Sequence, residues 1–440
     1  MHIAHLSDLH FGDPKTLAEV ERCTAFAIDA VVEAGAEVAV ISGDSTDHAI
    51  DVHSPSFVAL ARLVRRLADH CPVLMLQGTF SHEPPGTLDV FRLLGGRFAV
   101  HVADRIHQAA WCGAQGWVAS DAWRFDDVPA GAQVLVSCVP TVNKATVAAA
   151  VGANAAAEAV GQQLAALLAG FGEINRQAAT AGVPTVGVSH GTVSGCVTEH
   201  GVPMAGLDHE FTTGSLFAAQ ASAFMLGHIH KHQAWHQDGR VVAYPGSIGR
   251  LHYGEEDAKG CLLWDVSPHG ASFRFIETPS RRMLHLTFSG RPDMGAIRAA
   301  AADAAGAFVR VRWQIAEEER ASVDRDEIER LLAGAAELRL EGRVVPLMRA
   351  RSAGISAVPA LADKLRRWAE LAGVEGEPLV DRLGQLQVPA EQIVSGILRD
   401  AATGVPSRHA PHSSSGQGIF SAVSELPAVD PERIRRPPGQ

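Results

Sequence analysis

Two aspartates and five histidines of this chain sit in five short strings, each of which follows or closes an apolar, strand-like run. The strings are Asp8-Leu9-His10, Gly43-Asp44, Ser81-His82, Ser189-His190 and Gly227-His228-Ile229-His230. Residues i and i+2 of an extended chain share a face, so Asp8 with His10, and His228 with His230, project to one side. A carboxylate and an imidazole placed in this way can grip one divalent cation. Asp44 brings a second carboxylate, whose two oxygens can bridge two cations. His228 and His230 offer one imidazole to each cation, and His190 adds a ligand from another strand end. Mixed aspartate and histidine ligation suits manganese, iron or zinc better than calcium. Two such cations roughly 3.5–4 Å apart support in-line displacement at phosphorus. A neighbouring histidine can protonate the departing alkoxide, worth about 10²–10⁴-fold, and His82 is the candidate. The chemistry expected is metal-dependent phosphoester hydrolysis.

The elements that must place these strings are legible in the hydrophobic pattern. His2–Leu6, Val38–Ser42 and Val73–Leu76 read as strands, separated by amphipathic helices over Thr16–Ala34 and Ser56–Ala68. Such alternation argues for a layered α/β core. Shorter β-like runs follow around Arg105–Ala110, Gln133–Cys138, Thr185–Ser189, Ala223–Leu226, Val241–Tyr244 and Gly260–Asp265. Two sheets packed face to face with helices outside would hold them. The Ala-rich stretch Ala145–Ala181 is a long helical candidate. Residues 283–345 alternate strand and helix again and read as a small separate α+β unit. Residues 359–372 and 378–402 read as two further helices, and the Ser-, Pro- and Gly-rich end from Thr403 is expected to be largely disordered.

Composition narrows the class. The 440 residues are 47% hydrophobic and 20% charged, enough for two or three domains and a substantial core. No run of 18 apolar residues occurs and the first residues enter a strand directly, so neither a membrane span nor a secretory signal is expected. The six cysteines are scattered without a C-x-x-C, which points to buried thiols in a reducing cytoplasm. The net charge of −11 divides unevenly, −12 over residues 1–280 and +1 over 281–440. That balance permits DNA binding without predicting it.

The ordered set of strings resembles the calcineurin-like metallophosphoesterase superfamily. Within it, Ile3-Ala4-His5-Leu6-Ser7-Asp8-Leu9-His10-Phe11-Gly12 and Tyr244-Pro245-Gly246-Ser247-Ile248-Gly249-Arg250-Leu251 are similar to SbcD-type DNA repair nucleases. The resemblance implies a four-layer β-sandwich flanked by helices over 1–280. It also implies a small α+β capping domain over 281–350, C-terminal helices over 351–402 that dock a partner, and a tail over 403–440. It implies that Asp8, His10 and His230 bind a first cation, that Asp44 bridges, and that His190 and His228 bind a second. His82 would be the general acid, with Asp47 and His48 on the substrate side. Arg250, read from its position alone, is either a substrate-side residue that holds a phosphate or the partner of Glu255 or Glu256. The cations would be manganese, with iron or zinc as alternatives. The partners would be DNA, an SbcC-like ATPase subunit and a second copy of the chain.

One string departs from that family. Gly-Asn-His followed by an acidic residue is expected after the third strand, with the Asn amide oxygen on the second cation. This chain has Gly78-Thr79-Phe80-Ser81-His82-Glu83. Ser81 is the expected substitute ligand, with Thr79 as the alternative. A neutral hydroxyl is a poorer ligand than an amide oxygen, so the second cation is expected to bind more weakly, unless a water takes the place. Two other readings stand beside the nuclease: a small-molecule or nucleotide phosphodiesterase, and a scaffold that binds DNA or a partner without cutting. Trp117 and Trp123 could stack on bases or pack their own loops.

Overall fold

In the computed structural model, residues 1–141, 153–198, 210–346, 354–386 and 388–403 are described. The expected disorder from Thr403 onward falls almost wholly outside them. The chain divides into two compact units, Met1–Pro346 and Leu347–Gln440.

The larger unit is a mixed α/β structure. A six-stranded sheet runs in the order Gly270–Glu277, Gly260–Ser267, His2–Leu6, Val38–Ile41, Val73–Leu76, Val100–Ala103. A seven-stranded sheet runs in the order Gln233–Gln237, Arg240–Tyr244, Ala223–Gly227, Thr185–His190, Val134–Val139, His107–Trp111, Trp117–Ala119. The two sheets face each other across one apolar core: Ile3, Val38, Val40, Leu74 and Trp264 from the first meet Val136, Val186, Val188, Met225 and Ala243 from the second. Strands buried on both faces read as continuous apolar runs, as Val38–Ile41 and Val73–Leu76 do.

Helices Pro14–Glu33 and Pro55–His70 cover the outer face of the first sheet through Val20, Ile28, Leu60 and Leu67. Each starts on a capping side chain followed by proline. Asp13 accepts from the Lys15 N–H, and Ser54 from the Phe57 N–H. Helices Ala153–Thr180 and Thr213–Ala218 cover the second sheet through Leu168, Phe171 and Leu216. The result is helix, sheet, sheet, helix. The expected helix Ala145–Ala181 is present over Ala153–Thr180, and its first residues lie outside the described ones. Strands Trp117–Ala119, Gln233–Gln237 and Gly270–Glu277 were not expected. They are short or half-exposed edge strands whose pairing partners supply their order.

Residues 283–345 form three parallel strands, Met283–Ser289, Phe308–Ala316 and Glu337–Val345, with helices Met294–Ala304 and Arg325–Leu331 as crossovers. They bury their own core around Ile297, Val309, Val311, Trp313 and Ile328. In the second unit, the expected helix over 378–402 is two helices, Glu377–Leu386 and Ala390–Thr403. Pro389 lies at the break: it lacks an N–H and disfavours helical geometry in the residue before it. Helix Leu361–Ala372 ends on Gly373 at φ 67°. Among the described residues no helix is long and apolar enough to cross a membrane.

Buried His5 joins Trp264 of its own sheet to Ser42, next to the Gly43-Asp44 string. The Trp264 indole N–H donates to His5 Nδ1 at 3.4 Å, which leaves the proton on Nε2, 2.8 Å from Ser42 Oγ. Burial, aided by the charge of His232, lowers the His5 pKa to about 3. The unfolded chain takes up that proton near pH 6.5, so the contribution of neutral His5 is complete above pH 6.5 and is lost as pH falls toward 3. Urea midpoints in EDTA at pH 7 and 5.5 test this. The stability lost on acidification should shrink by about 1.4 kcal/mol in His5→Gln, whereas an equal loss in both proteins would refute it.

Candidate metal centre

The strings lie together at the C-terminal ends of parallel strands from both sheets, the edge where open α/β sheets bind ligands. Asp8 and His10 follow strand His2–Leu6, Asp44 follows Val38–Ile41, and Thr79 to Glu83 follow Val73–Leu76. His190 ends Thr185–His190, and His228 and His230 follow Ala223–Gly227. Six non-glycine residues have positive φ among those described, and four belong to the cluster: Asp8 at 50°, His10 at 50°, Asp44 at 49° and His228 at 102°. Such backbone costs about 1–3 kcal/mol per residue and persists where surrounding bonds over-determine it. Here the Asp8 N–H donates to the Gly43 carbonyl and the His10 N–H to the Asp44 carbonyl, at 3.1 and 3.0 Å. Gly78 is needed by close approach, because a Cβ there would overlap the Asp44 backbone nitrogen and Oδ1.

Among the described residues four groups of possible ligands occur, and two are the expected triads, Asp8 with His10 and His230, and Asp44 with His190 and His228. The others are His10 with Asp47 and His82, and His230 with His252 and Glu255. His10 and His230 meet Nε2 to Nε2 at 3.1 Å. His230 Nδ1 lies 2.6 Å from Glu255 Oε1, and His10 Nδ1 lies 3.5 Å from Asp47 Oδ1. The Glu255 carboxylate behind His230 Nδ1 turns its Nε2 toward His10, whose buried Nδ1 has no hydrogen-bond partner among the described residues. A buried ring nitrogen without a partner, beside Asp8 and a second oriented imidazole, is a donor set that a metal ion fits. His190 repeats the His230 arrangement. Its Nδ1–H donates to the Ser42 carbonyl at 2.8 Å, which leaves Nε2 facing Asp44 Oδ2 at 3.1 Å.

The electrostatics follow from the same contacts. Burial opposes ionisation of Asp44, but the charge and hydrogen bond of His190 outweigh it and hold the carboxyl well below its ordinary range. Burial likewise opposes protonation of His190, and Asp44 outweighs it, lifting the imidazole to about 9. Burial pushes Glu83 up to about 7, with help from the Asp44 charge and against the N–H of Gly78. His82 is 32% exposed, and its Nδ1 lies 2.8 Å from Asp44 Oδ2, a hydrogen bond that raises its pKa. His82 therefore has one nitrogen held and its ring at the open rim. Asp47 and His48 are on that rim too, 42% and 55% exposed.

Two expected site residues are corrected. Ser81 is exposed, at the tip of a turn closed by the His82 and Glu83 N–H groups on the Thr79 carbonyl. Thr79 takes the inner position: its N–H donates to Asp44 Oδ1 at 2.7 Å, and its hydroxyl lies 3.1 Å from Asp44 Oδ2 and 3.2 Å from His190 Nε2. The two added residues, Phe80 and Ser81, are absorbed by the turn, so His82 still returns to Asp44. Arg250 does not present its charge to a substrate. A guanidinium has five N–H donors, and these bond the carbonyls of Glu255, Glu256, Asp257 and Arg281 and the Ser280 hydroxyl.

Sequence reasoning overlooked Glu255 as the partner of His230, because a 25-residue separation carries no local signal. It also gave Glu83 no role. The buried Glu83 carboxylate accepts the N–H of Ser45 and of Gly78, each at 2.5 Å, and so joins two of the ligand loops. Trp117 packs 5.6 Å from Trp111, and Trp123, 39% exposed, lies 5.3 Å from Phe171.

No family model matches the chain, and no curated protein matches it. Among solved structures, GAP50, the anchor in the inner membrane complex of Plasmodium, is similar at 11% identity. The match covers 63% of this chain and 85% of that one, with a TM-score of 0.38.

The Thr79 position generates a prediction. An amide oxygen in place of the hydroxyl should tighten the weaker of two manganese-binding steps by about 10-fold in Thr79→Asn, measured by titration calorimetry. Two equally tight steps in the unsubstituted protein would contradict the expectation.

Proposed function

We propose that the chain is a two-metal-dependent phosphodiesterase of the calcineurin-like superfamily, acting on DNA as an SbcD-type nuclease subunit. The observation that carries this reading is the convergence of two Asp/His triads with His82 at their open rim. Manganese suits the donor set, and two bound cations would supply charge neutralisation at the phosphate and an activated water. The chain's own residues do the rest. Asp44, in the second triad, receives His82, His190 and Thr79 and would be the bridging carboxylate. His82, held at Nδ1 and 32% exposed, would pass a proton from its other nitrogen to the leaving alkoxide. The exposed Asp47 and His48, 3.4 Å apart, would line the substrate side.

A cytoplasmic location is supported by six cysteines that are all free and buried. Docking of an SbcC-like ATPase is supported by exposed Leu361, Trp368, Leu371 and Val374 in the second unit. The charge of −12 over residues 1–280 favours the second reading, a phosphodiesterase of nucleotides or small molecules.

Hydrolysis of bis-p-nitrophenyl phosphate and of linear duplex DNA with manganese tests both. Cutting of DNA, alone or with an SbcC-like ATPase, supports the nuclease, and cleavage of the small ester alone supports the second reading. His82→Ala should lower turnover by about 10²–10⁴-fold with metal content unchanged, and Asp44→Ala should lose metal and activity together. Two bound manganese ions without hydrolysis of either substrate would leave a non-cutting scaffold.

A further inference from the structure

We propose that Glu255 is a positioning residue for the first metal triad, and that Arg250 ties its placement to the strap leading into the three-stranded sheet. The inference rests on the two-metal reading and concerns how one of its ligands is aimed.

Glu255 is fully buried, in the loop between strands Arg240–Tyr244 and Gly260–Ser267. One oxygen, Oε1, lies 2.6 Å from His230 Nδ1, and the other, Oε2, accepts the Leu251 N–H at 2.6 Å. Lys259, also buried, has its ammonium 3.6 Å from Oε1 and donates to the His230 carbonyl at 2.8 Å. The His230 ring and backbone are thus both held from the same loop. A carboxylate behind one imidazole nitrogen fixes the tautomer and ring plane, so that the other nitrogen is the ligand. For His230 that other nitrogen is the one 3.1 Å from His10 Nε2. His190 in the second triad has only a backbone carbonyl, that of Ser42, behind it.

The loop does not hold itself. Arg250 gives three donors to carbonyls of residues 255–257 and two to Ser280 and Arg281. Ser280 and Arg281 form the strap between strands Gly270–Glu277 and Met283–Ser289. Arg281 is anchored in turn: its N–H donates to Glu19 Oε1 at 2.5 Å, and its guanidinium lies over the Phe308 ring at 5.2 Å. A contact chain therefore runs from Phe308 in the small sheet through Arg281, Arg250 and Glu255 to His230.

The test is manganese titration of the full chain by calorimetry, with the absorption of the cobalt-loaded protein as a second readout. Glu255→Gln keeps the shape and removes the charge. It should weaken one binding step about 10–100-fold, leave the other unchanged and alter the cobalt bands. Arg250→Lys, which keeps the charge but loses the fork, should weaken the same step by a smaller factor. It decides the matter if Glu255→Gln does not fold. Unchanged affinities in a folded variant, or equal losses at both steps, would overturn the proposal. Absence of manganese binding by the unsubstituted protein would instead overturn the metal reading on which it rests.

Discussion

The carboxylate of Asp44 is the constraint on which the site depends. It is 1% exposed, sits on backbone at φ 49°, and receives groups from three directions. Thr79 and His82 reach it from the loop after Val73–Leu76, and His190 from the facing sheet. A buried carboxylate without partners would be neutral; this one is held ionised by the imidazoles around it. The two sheets can therefore meet at this edge only with histidines, or cations bound by them, in attendance. The clash that a side chain at Gly78 would make with Asp44 shows how little room the arrangement leaves.

Around that node the two triads are backed differently. In the first, the buried Glu255 carboxylate stands behind His230, while His10 Nδ1 lies 3.5 Å from Asp47 without a hydrogen bond. The second has the Ser42 carbonyl behind His190 and the neutral Thr79 hydroxyl beside it. The asymmetry comes from where the loops originate. The Glu255 loop is clamped by Arg250 to the strap, whereas the Thr79 turn hangs on Glu83. Burial pushes Glu83 up to about 7, although the Gly78 N–H opposes it.

How much of this was legible beforehand depends on the range of each interaction. Strand ends were readable because their side chains alternate and their apolar runs are unbroken. The three-stranded sheet over 283–345 was readable from its alternation of strand and helix, although these residues belong to the larger unit. Edge strands such as Gln233–Gln237 were not, since a half-exposed strand has no pattern distinct from a loop. The break at Pro389 was visible in principle and was outweighed by the helical spacing on either side. Arg250 was placed on the substrate side because charge near a candidate site suggests anion binding. Pairing with Glu255 or Glu256 was the alternative, and Arg250 does bond both, through their backbone carbonyls rather than their carboxylates.

Sequence alone determined which residue types stand just beyond which strands, because apolar runs are local properties, and with them the layered α/β class. The sorting of the strings into two triads came only as what the family resemblance implied, since it pairs residues from distant strands. Only the tertiary structure decided that Thr79 rather than Ser81 turns inward, that Glu255 stands behind His230, and that Arg250 serves the loop. Each depends on atoms brought together from distant positions by sheet packing, and on hydrogen bonds that must be completed once water is excluded. Those requirements exist only after the two sheets have closed on one another.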